Sequence, residues 1–228
     1  MVTKSRSRRG APLDRRTIAA RALELIDADG LASLSMRRLG AALDVEAMAL
    51  YHHFASKGEL LDGVLELLIE TMMPAIEGRR PPLARLRATF ERLRMIAIEH
   101  PHAFILIPTR RFRTPAQLQF YERLLQVFHD AGLEAAASAR YFRVLAGFVT
   151  GAGLAEIGSR GLQPDATPIL LEDFEDRARY PRVSEIAPHL RVTKLGRIFA
   201  SGLDIIFAAM EAELAVGAGI REGRSNPS

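Results

Sequence analysis

The sequence predicts an all-α protein with a small N-terminal head and a larger helical domain. Three observations carry this. Apolar residues recur at helical spacing through most of the chain. Pro and Gly fall mainly between those periodic runs. No segment alternates apolar and polar residues as a half-buried strand would.

Leu13 to Ala28 reads as an amphipathic helix, with Ile18, Ala22, Leu25 and Ile26 on one face and Asp29-Gly30 ending it. Ser35 caps a short helix through Ala42 that turns Met36, Leu39 and Leu43 inward. Asp44-Val45 makes a tight turn, and a second short helix follows from Glu46 to His53. Ser56 caps a longer helix through Met73, which Pro74 is expected to stop. Further helices are expected from Leu83 to Glu99, Pro115 to Ala131, Glu134 to Gly158 and Lys194 to Val216. Ser159 to Thr193, rich in Pro, Gly, Asp and Arg, reads as a long loop with room for a short helix. The expected organisation is therefore a basic arm over 1–12, a head over 13–73, a helical domain over 81–216 and a frayed tail over 217–228.

Bulk composition excludes several classes of protein. Hydrophobic residues make up 48% of 228, enough for a sizeable core. With no cysteine there are no disulfides and no thiolate metal sites, which suits a reducing cytoplasm. No apolar run is long enough to cross a membrane, and the basic start lacks the apolar core of a secretory signal. The net charge of +4 is concentrated at the front: residues 1–60 hold ten Lys/Arg against seven Asp/Glu, the remainder 21 against 20. Lys4, Arg6, Arg8 and Arg9 precede the first acid, Asp14. Such an arm is either a salt-dependent phosphate contact or an ordinary solvated tail.

Two short helices joined by a tight turn, supported by a helix on either side, form a helix-turn-helix, whose second helix enters a DNA major groove. In that second helix Leu50 and Phe54 lie four apart and define the buried face. At about 100° per residue, Met48 and His52 point away from it, with Ala49 and Tyr51 on the flanks. Ala47 opens the helix and His53 closes it. Met48 and Ala49 suit thymine methyl groups, His52 suits guanine acceptors or phosphate, and the Tyr51 hydroxyl suits a phosphate oxygen. Lys57 begins the next helix, where charge and free N–H groups both favour phosphate; Ser35 and Arg37 are placed similarly on the preceding helix.

Leu34-Ser35-Met36-Arg37-Arg38-Leu39, then Val45 through Phe54, then Lys57 and Leu60-Leu61, resembles the DNA-binding signature of the TetR family of regulators. Asp44 replaces the Gly usual in that turn, and Asp tolerates the left-handed conformation at modest cost. Phe199 to Ile205 and the Thr109-Arg110 pair resemble the C-terminal domain of the tetracycline repressors. There a His before the Thr-Arg pair chelates the magnesium of a drug–metal complex. Leu106 holds the matching position, so the resemblance gives no support for that effector. It implies a cytoplasmic homodimer, mostly a repressor, that binds a double-stranded near-palindromic operator and a small-molecule effector, with no cofactor.

Gly147, Gly151 and Gly158, with Ala146 and Ala152, let a second helix approach closely. By the resemblance this is the subunit interface, formed with the last helix; ordinary packing within one subunit is the alternative. Phe90, Leu93, Ile105, Leu106, Leu124, Phe128, Phe142, Leu145 and Phe148 fit either a pocket lining or plain core. Thr109, Arg110 and Glu156 are its candidate polar groups.

His100 and His102 flank Pro101 with too few carboxylates nearby for a metal site. Asp173, Glu175 and Asp176 read as a solvated acidic run. The sequence contains no nucleophile elbow, Walker loop or dinucleotide fingerprint, so no enzyme is expected. Two rivals to a ligand-sensing regulator are a helical carrier of hydrophobic molecules and an architectural DNA-binding protein without an effector.

Overall fold

A computed structural model describes residues 13–159, 178–189 and 195–224. All the regular elements among these residues are helical: α1 Arg15–Asp29, α2 Met36–Leu43, α3 Ala47–Tyr51, α4 Lys57–Glu70, α5 Met73–Ile76, α6 Pro82–Glu99, α7 Leu106–Thr109, α8 Pro115–Asp130, α9 Ala135–Ser159, α10 Pro181–Ile186 and α11 Leu195–Arg224, with short 3-10 turns at Leu31–Ser33 and Ala187–His189. The expected basic arm, the acidic run at 173–176 and the last four residues lie outside the described residues. None of the described helices is long and apolar enough to cross a membrane.

The chain divides into two compact units. The first joins Met1–Pro74 to His100–Glu122; the second joins Ala75–Glu99 to Arg123–Ser228. Residues 100–122, read from sequence as part of the helical domain, thus group with the head. The cause is local: Ala103, Phe104 and Leu106 are buried, and Arg110 and Gln117 both bond to α4.

In the head unit α1 packs on α4, and α2 packs on both α1 and α3. Ile18, Ala22 and Ile26 of α1 meet a core that includes Leu39, Leu50, Phe54, Leu60 and Val64, all fully buried. Removing a side chain of that size from water stabilises by about 1.5–3 kcal/mol. Asp14 caps α1 by accepting from the Thr17 N–H at 2.7 Å, which holds its carboxyl below the usual range. Gly30 ends the helix at φ +81°.

In the second unit α6, α9 and α11 pack on one another. The α9 residues Tyr141, Leu145, Val149, Gly153 and Ile157 repeat every four positions along one buried stripe. Gly202 of α11 faces the Phe148 ring, where an added Cβ would lie 2.2 Å from the ring edge, so glycine permits the contact. Phe148 also stacks on Phe199 at 5.6 Å. Polar links reinforce this packing: Arg94 to Glu156 at 2.6 Å, Arg87 to Asp204 at 2.7 Å, and Arg140 and Tyr141 both to Glu213.

Four sequence expectations require correction. Pro74 does not stop a helix: α4 ends at Glu70, and Pro74 sits in the first turn of α5, where a missing N–H costs nothing. The expected series of helices does not include α7 at Leu106–Thr109. The last helix runs on to Arg224, past the expected end at Val216. The single apolar stripe expected along it, Leu195, Ile198, Phe199, Gly202, Ile205, Ile206 and Ala209, also splits: Phe199 is buried with Leu203, Phe207 and Met210, while Ile198 and Ile205 are 61% and 72% exposed.

Candidate nucleic-acid interface

Local chemistry fixes the helix-turn-helix tightly. The Ser35 hydroxyl accepts from the Arg38 N–H at 3.2 Å, capping α2. Asp44 ends α2 at φ 55° and ψ 43°, and it is the one non-glycine residue with positive φ among the described residues. The left-handed turn brings the Val45 N–H to the Gly40 carbonyl at 3.0 Å. A Cβ on Gly40 would come within 2.8 Å of the Val45 oxygen and 3.2 Å of the Ala47 nitrogen. The close crossing of α2 and α3 therefore depends on that glycine.

On α3, Leu50 and, just beyond it, Phe54 are fully buried. Met48 is 69% exposed, and Tyr51 and His52 are exposed beside it. Ala47, Ala49 and His53 are half-buried, so the face offered to solvent is narrow and is made chiefly of Met48, Tyr51 and His52. Ser35 and Arg37 are exposed at the start of α2. The Ser56 hydroxyl caps α4 by accepting from the Glu59 N–H at 3.1 Å. The Lys57 ammonium donates to the Leu34 carbonyl at 2.6 Å, so it also braces the segment entering α2.

The residues singled out for effector contact fall in both units. Phe90 and Phe128 are buried in the second unit, where Phe142 is half-buried and Glu156 is paired with Arg94. Leu106, Thr109 and Arg110 belong to the head unit. Leu106 is buried, and the Thr109 hydroxyl donates to the Ile105 carbonyl at 2.5 Å. The Arg110 guanidinium donates to Asp62 and to the Gly58 carbonyl of α4.

Sequence reasoning missed Asp62 and Gln117. Gln117 is fully buried; its side-chain oxygen accepts from the Thr114 and Arg113 N–H groups, its amide donates to the Asp62 carbonyl at 3.2 Å, and the Thr114 hydroxyl accepts from its N–H at 3.2 Å. The reciprocal Thr114–Gln117 pair is a capping box, and the Thr-Pro-Ala-Gln order at 114–117 was the available signal. Asp62 carried none, because its Arg partner lies 48 residues away.

His100 bonds through Nδ1 to Asp27 at 2.7 Å. No cluster of three or more His, Asp or Glu side chains suited to a metal ion occurs among the described residues.

Residues 18–64 match the bacterial regulatory proteins of the tetR family, and residues 83–214 match the tetracyclin repressor-like C-terminal domain. The chain is 30% identical over 146 residues to the HTH-type transcriptional repressor DrrR1 of Streptomyces coeruleorubidus, covering 64% of this chain and 53% of that one. It is 27% identical over 199 residues to the class E tetracycline repressor protein of Escherichia coli, covering 82% and 90%. It spans about half the length of DrrR1 and of an HTH-type transcriptional regulator of Saccharopolyspora erythraea. The crystal structure of the TetR family protein ActR of Streptomyces coelicolor, in complex with actinorhodin, superposes with TM-score 0.74 at 26% identity, covering 89% of this chain and 97% of that one. These relatives are named as regulators or repressors, not enzymes. With its two matched segments together spanning the helix-turn-helix and most of the helical domain, the chain belongs to the TetR family of bacterial regulatory proteins.

Proposed function

We propose that this regulator is a homodimeric, cytoplasmic repressor that places α3 of each subunit in successive major grooves of a near-palindromic operator and releases it when a small molecule binds. The observation that carries the reading is the face of α3. A five-residue helix, anchored by Leu50 and Phe54, holds Met48, Tyr51 and His52 outward, and solvent alone gives no reason to expose that set. Met48 and Ala49 read thymine methyls, His52 reads guanine or a phosphate, and Tyr51, Ser35, Arg37 and Lys57 hold the backbone. Ala47 and His53 flank that contact.

The subunit interface in this reading is the apolar face that α9 and α11 leave uncovered. Val144, Gly147, Gly151 and Leu154 on α9 are exposed, as are Ile198, Ile205 and Val216 on α11. Nothing lies within 4 Å of a Cβ placed on Gly147, Gly151 or Gly158, so the glycine face is open to a partner helix. A two-fold axis across both helices buries it.

ActR was crystallised with actinorhodin, so a similar fold accommodates a small organic molecule. Here Phe90, Phe128, Phe142 and Glu156 of the second unit are proposed to receive the effector. Leu106, Thr109 and Arg110 lie in the head unit, where Arg110 bonds to α4. Release requires that the effector bind the state with low operator affinity more tightly. The test is gel-shift and footprinting of the full-length protein on DNA flanking its own coding region. Protection of a near-palindrome with half-sites about one helical turn apart supports the reading; uniform coating of all fragments refutes it.

A further inference from the structure

The end of α3 is held by two side chains, Arg15 and Glu59, that belong neither to the signature residues nor to the proposed DNA contacts. A five-residue helix leaves most of its carbonyls without intrahelical partners. The N–H groups of His53 and Phe54 both return to the Leu50 carbonyl, and the chain then turns toward α4. Arg15, in the first turn of α1, donates through Nη1 to the His53 carbonyl, and its guanidinium lies 4.1 Å from the centroid of the Phe54 ring. Glu59 of α4 approaches the same Nη1 at 3.7 Å and accepts from the Ala55 N–H at 2.6 Å. The two side chains therefore hold the 53–55 turn from both sides, one by its carbonyl and one by its N–H. Asp14 caps the turn of α1 that carries Arg15, and Ser56 caps the turn of α4 that carries Glu59, so each half of the clamp stands on a fixed helix end.

We propose that Arg15, acting with Glu59, is a positioning residue for sequence-specific DNA binding, setting the angle at which α3 presents Met48, Tyr51 and His52. This rests on the reading of α3 as the recognition helix. Arg15 contacts groups of the head itself, so its removal should loosen the aim of α3 without removing a phosphate contact. Leu50 and Phe54 still anchor the helix, so the fold should survive.

The test compares full-length wild type with Arg15→Ala, Arg15→Lys and Glu59→Gln. Amide hydrogen exchange is measured without DNA. Binding is measured on a duplex enriched by the wild type from a random-sequence pool and on a shuffled duplex of the same composition. For Arg15→Ala, exchange should quicken over residues 49–55 while the α1 and α4 core amides keep their rates. Affinity for the enriched duplex should fall about tenfold, the loss expected for one charge-assisted hydrogen bond. Affinity for the shuffled duplex and the salt slope should not change. Glu59→Gln should show a smaller change of the same pattern, and Arg15→Lys should recover part of the loss by keeping the donor. Unaltered exchange at 49–55 overturns the clamp. An equal loss on both duplexes, with the salt slope reduced by about 0.9, overturns positioning in favour of a phosphate contact. If the wild type enriches no duplex, the regulator reading fails, and the exchange measurement still decides the clamp.

Discussion

Asp62 and Arg110 are ion-paired at 2.6 Å, joining α4 to the segment that leaves α7. Both side chains are largely buried, and Arg110 also donates to the Gly58 carbonyl one turn earlier on α4 at 2.7 Å. Displacing that segment therefore breaks bonds to α4, whose first turn holds the turn that follows α3 through Glu59 and the Ala55 N–H.

Breaking this latch should be costly. Arg110→Ala leaves Asp62 poorly compensated and is expected to lower unfolding free energy by roughly 2–3 kcal/mol, the range for losing hydrogen bonds to a charged group. Urea denaturation of the single variants and of Asp62→Ala/Arg110→Ala measures the coupling, expected at about 0.5–3 kcal/mol. Additive losses would show that the two side chains act independently.

Gly40→Ala should damage the head directly. The new methyl meets backbone at Val45 and Ala47, which cannot rotate away as a side chain could. A loss of about 1–3 kcal/mol is expected by thermal or urea unfolding, together with weaker DNA binding. A variant of wild-type stability would mean that α2 and α3 separate without strain.

Ile205→Asp should yield monomers. The residue is 72% exposed on α11, where an apolar side chain gains nothing from water. Sedimentation velocity should show wild-type dimers and variant monomers, with operator affinity falling in parallel. A dimeric variant would place the interface elsewhere.

The Arg140–Tyr141–Glu213 cluster joining α9 to α11 should shape the pH profile of stability. Bonding to Arg140 and Tyr141 holds the Glu213 carboxyl below its usual range, so its contribution is present at neutral pH and is lost as pH falls through that lowered value. Burial raises the Tyr141 phenol above its usual range, so its contribution is present below that range and is lost as pH climbs through the raised value. Melting temperature against pH should flatten on the acid side in Glu213→Gln and on the alkaline side in Tyr141→Phe. Profiles parallel to wild type would remove the cluster from the account.

Much of the head was legible because its signals are local. Ser35 and Ser56 cap the helices assigned to them, Asp44 takes up the left-handed turn, and Leu50 and Phe54 define the buried side of α3. Less of the remainder was legible, because its determinants are distant or short. With four residues, α7 is too brief to show a period. The two apolar faces of α11 merged into one apparent stripe, since hydrophobicity alone does not tell a covered face from an uncovered one. The partners of Arg110, Asp62 and Gly58, lie 48 and 52 residues away on α4, beyond the reach of any local pattern.

The proposed role of α3 is sequence-specific DNA binding. The most direct measurement is operator selection from a random-sequence pool by full-length wild type and by Met48→Ala, with affinity followed as salt is raised. The expected result is a near-palindromic consensus for the wild type, affinity that falls steeply with salt, and a changed preference at one or two symmetric positions for the variant. A wild type that enriches no consensus, or a variant that weakens binding to every sequence alike, would contradict it.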